Sequence, residues 1–157
     1  MGKRLAIYLN DHLAGATLGV ELARRSRGSN QGDSDFGPAL AELCAEIEAD
    51  RETLERVMDQ LGVGQSKLKP FGAVLGERLG RLKLNGQLRG YSPLSRLDEL
   101  EFLQLGVTGK QRLWQALKHT HSADLRDFDL DALAARASGQ LSRLRELHLK
   151  AAALALR

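Results

Sequence analysis

The chain has 157 residues, 43% hydrophobic, 27% charged and only 4% aromatic, with a net charge of +3; these are the size and composition of one globular domain with one core. A single cysteine, Cys44, excludes an internal disulfide, and no apolar run reaches the roughly 18 residues that would suggest a membrane span. Leu and Ala dominate the apolar content and strand-forming alternation is scarce, so residues 1–157 are expected to form a single all-α domain.

Asn10, Asp11 and His12 interrupt the apolar start of the chain, and Ala6 stands where a myristoylation signal wants a hydroxyl. A cytoplasmic location is the expectation. The first helix is predicted over Lys3 to Arg25. Leu5, Leu9, His12, Ala16, Gly19 and Ala23 recur at three- and four-residue steps, the spacing of one helical face. Residues 28–37 have the composition of a loop, and Pro38 suits the first turn of the next helix.

The second helix is predicted from Pro38 to Leu61. Leu40, Leu43, Ile47, Asp50, Leu54, Val57 and Leu61 alternate steps of three and four, the pattern of a seam between helices. Asp50 is the one polar residue in that seam. Cys44 beside it reads as a small buried hydrophobe.

Residues 66–84 predict a short or irregular helix, because Gly72, Gly76 and Gly80 each cost about 1 kcal/mol relative to Ala inside a helix. Ser92-Pro93 is a strong start for a long helix to about Lys118, with Leu97, Leu100, Leu103, Val107, Trp114 and Leu117 on its apolar side. Gly106 and Gly109 in it suggest a tight crossing or a kink. Asp127 or Asp129 would cap a last helix beginning near Leu130, with Gln140 at an inward position. The expected architecture is an up-and-down bundle of four long helices plus one short basic helix.

Charge is unevenly spread. Residues 33–60 carry nine acidic side chains against Arg51 and Arg56, and residues 67–96 carry seven basic ones against Glu77. Lys67, Lys69, Arg78, Arg81, Lys83 and Arg89 are interleaved with apolar residues, so they form a candidate surface for an anionic partner such as a membrane. Nucleic acid is disfavoured, because aromatic stacking residues are scarce there. A solvated basic face over a packed apolar one is the plainer expectation.

No phosphate loop, zinc spacing or nucleophile motif is present in the sequence, so no catalytic residue is assigned. The polar residues on apolar faces are His12, Glu46, Asp50 and Glu101. Carboxylates and an imidazole meeting inside a bundle would suit iron or manganese. Otherwise His12 would make a structural contact with a carboxylate, Asp50 being the candidate.

The run Tyr8-Leu9-Asn10-Asp11-His12-Leu13 and the pattern from Leu40 through Cys44, Glu46 and Asp50 to Leu61-Gly62 resemble the ferritin-like superfamily. The resemblance implies a helical bundle with a dinuclear metal centre. That centre needs Glu-x-x-His on two helices, and the sequence has none. The resemblance therefore implies a member without a working di-iron site and with no cofactor. Small-residue faces (Gly15, Ala16, Gly19; Gly72, Gly76, Gly80; Gly106, Gly109) suggest surplus helix surface. The expected function is accordingly non-enzymatic protein association as a homodimer. The alternatives are an atypical iron or manganese carboxylate protein, an oxidase or a metal store, and a peripheral membrane binder through residues 67–90.

Overall fold

Apolar seams at helical spacing, bounded by capping residues, produce four helices in the computed structural model, which describes residues 2–66 and 91–157: α1 (Lys3–Ser29), α2 (Gly37–Gln60), α3 (Pro93–His121) and α4 (Leu130–Ala155). The described residues contain no strand, and no helix among them is long and apolar enough to cross a membrane. The four long helices are those the periodicity predicts. α1 runs on through Gly28, where a loop was expected. The predicted basic helix, with Gly72, Gly76 and Gly80, lies outside the described residues.

The helix ends follow from local chemistry. Ser92 Oγ accepts the Ser95 backbone N–H at 3.0 Å and Pro93 occupies the first turn of α3. Asp129 Oδ1 accepts the Ala132 N–H at 2.9 Å at the start of α4. Gly62 ends α2 with φ of +62°, a left-handed conformation that disfavours side chains. Gly37 opens α2 so close to the α1 end that a Cβ there would lie 2.7 Å from the Asn30 carbonyl oxygen.

Cross-helix pairs fix the directions. Arg24–Glu48 (2.6 Å) and Arg51–Thr17 (3.3 Å) make α1 and α2 antiparallel. Arg25–Glu99 (2.7 Å), with Leu9 and Leu13 grouped with Trp114 and Leu117 at the other end, makes α1 and α3 antiparallel, and Lys118–Asp131 (2.5 Å) with His148–Glu101 (3.0 Å) does the same for α3 and α4. α2 and α3 consequently run in the same direction on one diagonal of the bundle. The short helix expected between the second and third long ones falls in residues 67–90, outside the described residues. Short loops force antiparallel neighbours at α1–α2 and α3–α4, whereas residues 61–92 join opposite ends of the molecule.

The apolar core falls into two groups. One end packs Leu40, Leu43, Cys44 and Ile47 of α2 against Leu100, Leu103, Leu144 and Leu147. The other packs Leu9 and Leu13 of α1 against Leu54, Val57, Met58, Trp114 and Leu117. Cys44 is fully buried, as its place beside the seam predicts.

A polar clamp closes the first end. Glu99 is wholly buried on α3, where it accepts Arg25 Nε at 2.7 Å and the Tyr91 hydroxyl at 2.9 Å. That hydroxyl in turn accepts Asn30 Nδ2 at 2.9 Å, and Arg96 donates to Asn30 Oδ1 at 2.6 Å and Asp33 Oδ2 at 2.9 Å. The Arg96 guanidinium also lies 4.1 Å from the Phe36 ring centroid, a cation–π contact. Burial, reinforced by the Glu99 carboxylate, pushes the Tyr91 phenol up to about 12.

This clamp gives the fold an alkaline weakness. The unfolded phenol loses its proton near pH 10 and the folded one near 12, so between those values the folded state binds more protons. The stability it contributes is present below pH 10 and is lost as pH rises through 12. Urea unfolding of Tyr91→Phe is expected to show lower stability at about pH 9 but a smaller further loss at about pH 11 than the parent chain. Equal losses would remove Tyr91 as the origin.

Candidate functional site

Between the two apolar groups lies a layer of buried charge. Asp50, in the α2 seam and 2% exposed, accepts hydrogen bonds from Lys110 Nζ of α3, from Arg136 Nη2 of α4, and from Gln140 Nε2 of α4 at 3.0 Å. Lys110 Nζ also donates to Gln140 Oε1 at 2.5 Å. Gln140 Nε2 reaches Glu46 Oε2 at 3.0 Å, and Arg143 Nη2 reaches the same oxygen at 2.5 Å. The layer thus pairs each of its charges, where an isolated ion would be costly, although Arg136 Nε has no hydrogen-bond partner among the described residues.

The local sequence explains the meeting. Asp50 and Lys110 occupy seam positions of their helices: Leu103, Val107, Lys110, Trp114 and Leu117 step by four, three, four and three. Burial lowers the Lys110 pKa, with the Asp50 carboxylate opposing that shift. For Glu46 burial acts upward, but hydrogen bonds from Arg143 and Gln140 outweigh it and hold the carboxyl below its usual range.

Beside this layer, between α1, α2 and α3, is a cavity of about 480 Å³. Asp50 and Lys110 form part of its wall, and Leu18, Leu22, Leu54, Phe102 and Trp114 supply much of the rest. Its width comes from missing side chains. Gly15 and Gly19 of α1 and Gly106 and Gly109 of α3 line it, and a Cβ built at any of them meets no atom of the described residues within 4 Å. These glycines do not mediate a tight crossing, and α3 continues as one helix through Gly106 and Gly109. Trp114 is fully buried, and its indole N–H has no hydrogen-bond partner among the described residues. A buried donor left this way costs about 1–3 kcal/mol.

The structure brings together two of the four candidate metal ligands. Glu46 and Asp50 meet through Gln140. Glu101 does not join them; it is exposed and receives His148 Nε2 at 3.0 Å. His12 lines the cavity but packs edge-on against Tyr8, with ring centroids 4.6 Å apart. The expected His12–Asp50 contact is not formed. The residue of α1 level with Asp50 is Thr17, the partner of Arg51, and Asp50 is already surrounded by three donors. Burial lowers the His12 pKa, Asp11 opposing.

A dinuclear centre does not fit this donor set. Both carboxylates that meet are paired with cationic side chains, and the Lys110 ammonium stands where a bound cation would compete for Asp50 and Gln140. Among the described residues no group of three or more His, Cys, Asp and Glu side chains is placed to hold a metal ion. The anionic-partner candidates Lys67, Lys69, Arg78, Arg81, Lys83 and Arg89 lie outside the described residues.

Lys110, Arg136 and Arg143 were not singled out from the sequence. Lys110 alone left a signal, its seam spacing. Comparison with family models, curated proteins and solved structures gives no match to this chain.

Removing Asp50 leaves the largely buried Lys110 without its carboxylate and unpairs the partly exposed Arg136. Asp50→Ala is expected to cost about 3–5 kcal/mol in urea unfolding, and the pair Asp50→Leu with Lys110→Met to cost less than that single change. A loss under about 1 kcal/mol for Asp50→Ala would show that the layer is not a structural constraint.

Proposed function

We propose that this chain is a non-enzymatic helical bundle of ferritin-like type that binds a small apolar molecule in the mid-bundle cavity. The carrying observation is the cavity itself, about 480 Å³ with a wall dominated by apolar and small residues. Ligand sites typically enclose about 300–1,000 Å³ and combine an apolar wall with a few fixed polar groups. Binding is favoured over catalysis because Asp50 and Lys110, the buried charges in the wall, are engaged with each other and with α4. The ferritin-like reading is supported by the single long connection between the second and third helices, a topology that ferritin-like bundles share.

Gly106→Leu tests the binding reading. The new side chain enters open space and replaces a helix-interior glycine, which costs about 1 kcal/mol relative to Ala, so the variant is expected to keep its stability. It is expected to weaken binding of the neutral fluorescent probe phenylnaphthylamine more than about ten-fold, a change of about 1.4 kcal/mol. Unchanged probe affinity, or no binding to the parent chain, would sink the reading.

Self-association as a homodimer is a second reading, favoured by the exposed Leu149, Leu154 and Leu156 at the C-terminal end. Light scattering at micromolar concentration is expected to give twice the chain mass, and Leu149→Glu with Leu154→Glu to halve it. A monomeric parent chain removes this reading and leaves the cavity reading untouched.

A further inference from the structure

The cavity wall is graded along α1. Tyr8, Asp11 and His12 line one end of it, and Gly15, Gly19 and Leu22 continue the same wall with small or apolar residues. Steps of three and four place these residues on one face of α1, and the helix rises about 16 Å from Asp11 to Leu22. Tyr8 and Asp11 are exposed as well as lining the cavity, so the polar end reaches solvent.

Four charged side chains contribute to the wall: Asp11, Asp50, Arg51 and Lys110. Three of them are matched. Asp50 pairs with Lys110 and Arg136, and Arg51 pairs with Glu55 at 2.8 Å, whereas Asp11 has no side-chain partner among the described residues. Burial lowers the His12 pKa, with Asp11 opposing, and burial raises that of the Tyr8 phenol, so both rings are neutral at pH 7. The charge at this end of the cavity is therefore that of the Asp11 carboxylate.

Resting on the binding reading above, we infer that the cavity takes a cationic amphiphile of the alkylammonium class, with its chain along the small and apolar wall between α1 and α3 and its ammonium beside Asp11. The head group stays at the end that reaches solvent, so it keeps much of its hydration and avoids the cost of burying a charge. An ammonium there meets the charge that the described residues leave unmatched, and a carboxylate head would meet a charge of its own sign. The exposed Tyr8 ring is an aromatic neighbour of the kind that attracts cations.

Decylammonium, decanol and decanoate share one alkyl chain and differ in the head group. Calorimetric titration of the full chain at low salt is expected to show decylammonium binding about five-fold more tightly than decanoate, the size of effect expected of exposed charges. The net charge of +3 would by itself favour decanoate, so a preference for the cation is a local effect. The preference is expected to shrink at about 1 M salt, where charges are screened beyond about 3 Å. Asp11→Asn is expected to abolish it and Asp11→Lys to reverse it. Asp11 is an exposed position, so both variants are expected to fold.

Decanoate binding as tightly as decylammonium, with decanol also bound, would overturn the ammonium assignment while leaving apolar binding in place. A preference for decylammonium that survives in Asp11→Asn or in Asp11→Lys would overturn it too. Binding of none of the three to the parent chain would remove both this inference and the reading on which it rests.

Discussion

The contact of Asp50 with Lys110, Arg136 and Gln140 is the constraint from which the middle of the bundle follows. It joins α2, α3 and α4 at one level, and it separates the two apolar groups. Apolar contacts are nondirectional and tolerate sliding. Hydrogen-bonded charges do not. A slip of α4 by one turn, about 5.4 Å, would carry Gln140 and Arg136 out of bonding reach of Asp50 and leave charge buried without a partner. The layer therefore selects one axial register among those that the Leu-rich faces would accept.

Cations already sit at the carboxylates, and they are side chains. Lys110 and Arg136 hold Asp50, and Arg143 holds Glu46. An ammonium on a tether is satisfied by a carboxylate oxygen and an amide oxygen, which Asp50 and Gln140 provide.

Helix content, the main capping residues and the polar break at Asp50 were legible in the sequence because each is written in local spacing. Lys110 carried the same signal as Asp50, a charge at a three–four seam position, but a search for apolar periodicity passes over it. His12 has inward spacing too, yet spacing fixes only a direction around α1. Its level relative to Asp50 depends on how far α1 slides along α2, which the Arg51–Thr17 and Arg24–Glu48 pairs decide. The common direction of α2 and α3 rests on contacts distant in sequence. A long connection permits either sense, and the clamp of Tyr91, Glu99, Arg25 and Asn30 selects one.

The small residues were legible as a pattern but not as a consequence. Gly15, Ala16, Gly19, Gly106 and Gly109 permit close approach of two backbones, or space between them, according to what else fixes the helix separation. Here Lys110 ties α3 across the diagonal to Asp50 on α2, and α4 is bonded to the same carboxylate. At this level Gly15, Ala16 and Gly19 of α1 offer little more than hydrogen and methyl groups to the cavity. Closing the gap would pull Lys110 away from Asp50 and Gln140, so burial of a few glycine surfaces would be set against a separated buried ion pair. Breaking such a pair costs about 3–5 kcal/mol, whereas apolar burial returns about 25 cal/mol per Å². Well over 100 Å² of new apolar contact would be needed to balance the loss, and side chains that end at Cα or Cβ have little such surface to give. The polar layer thus keeps the cavity open, and the glycines determine where it lies.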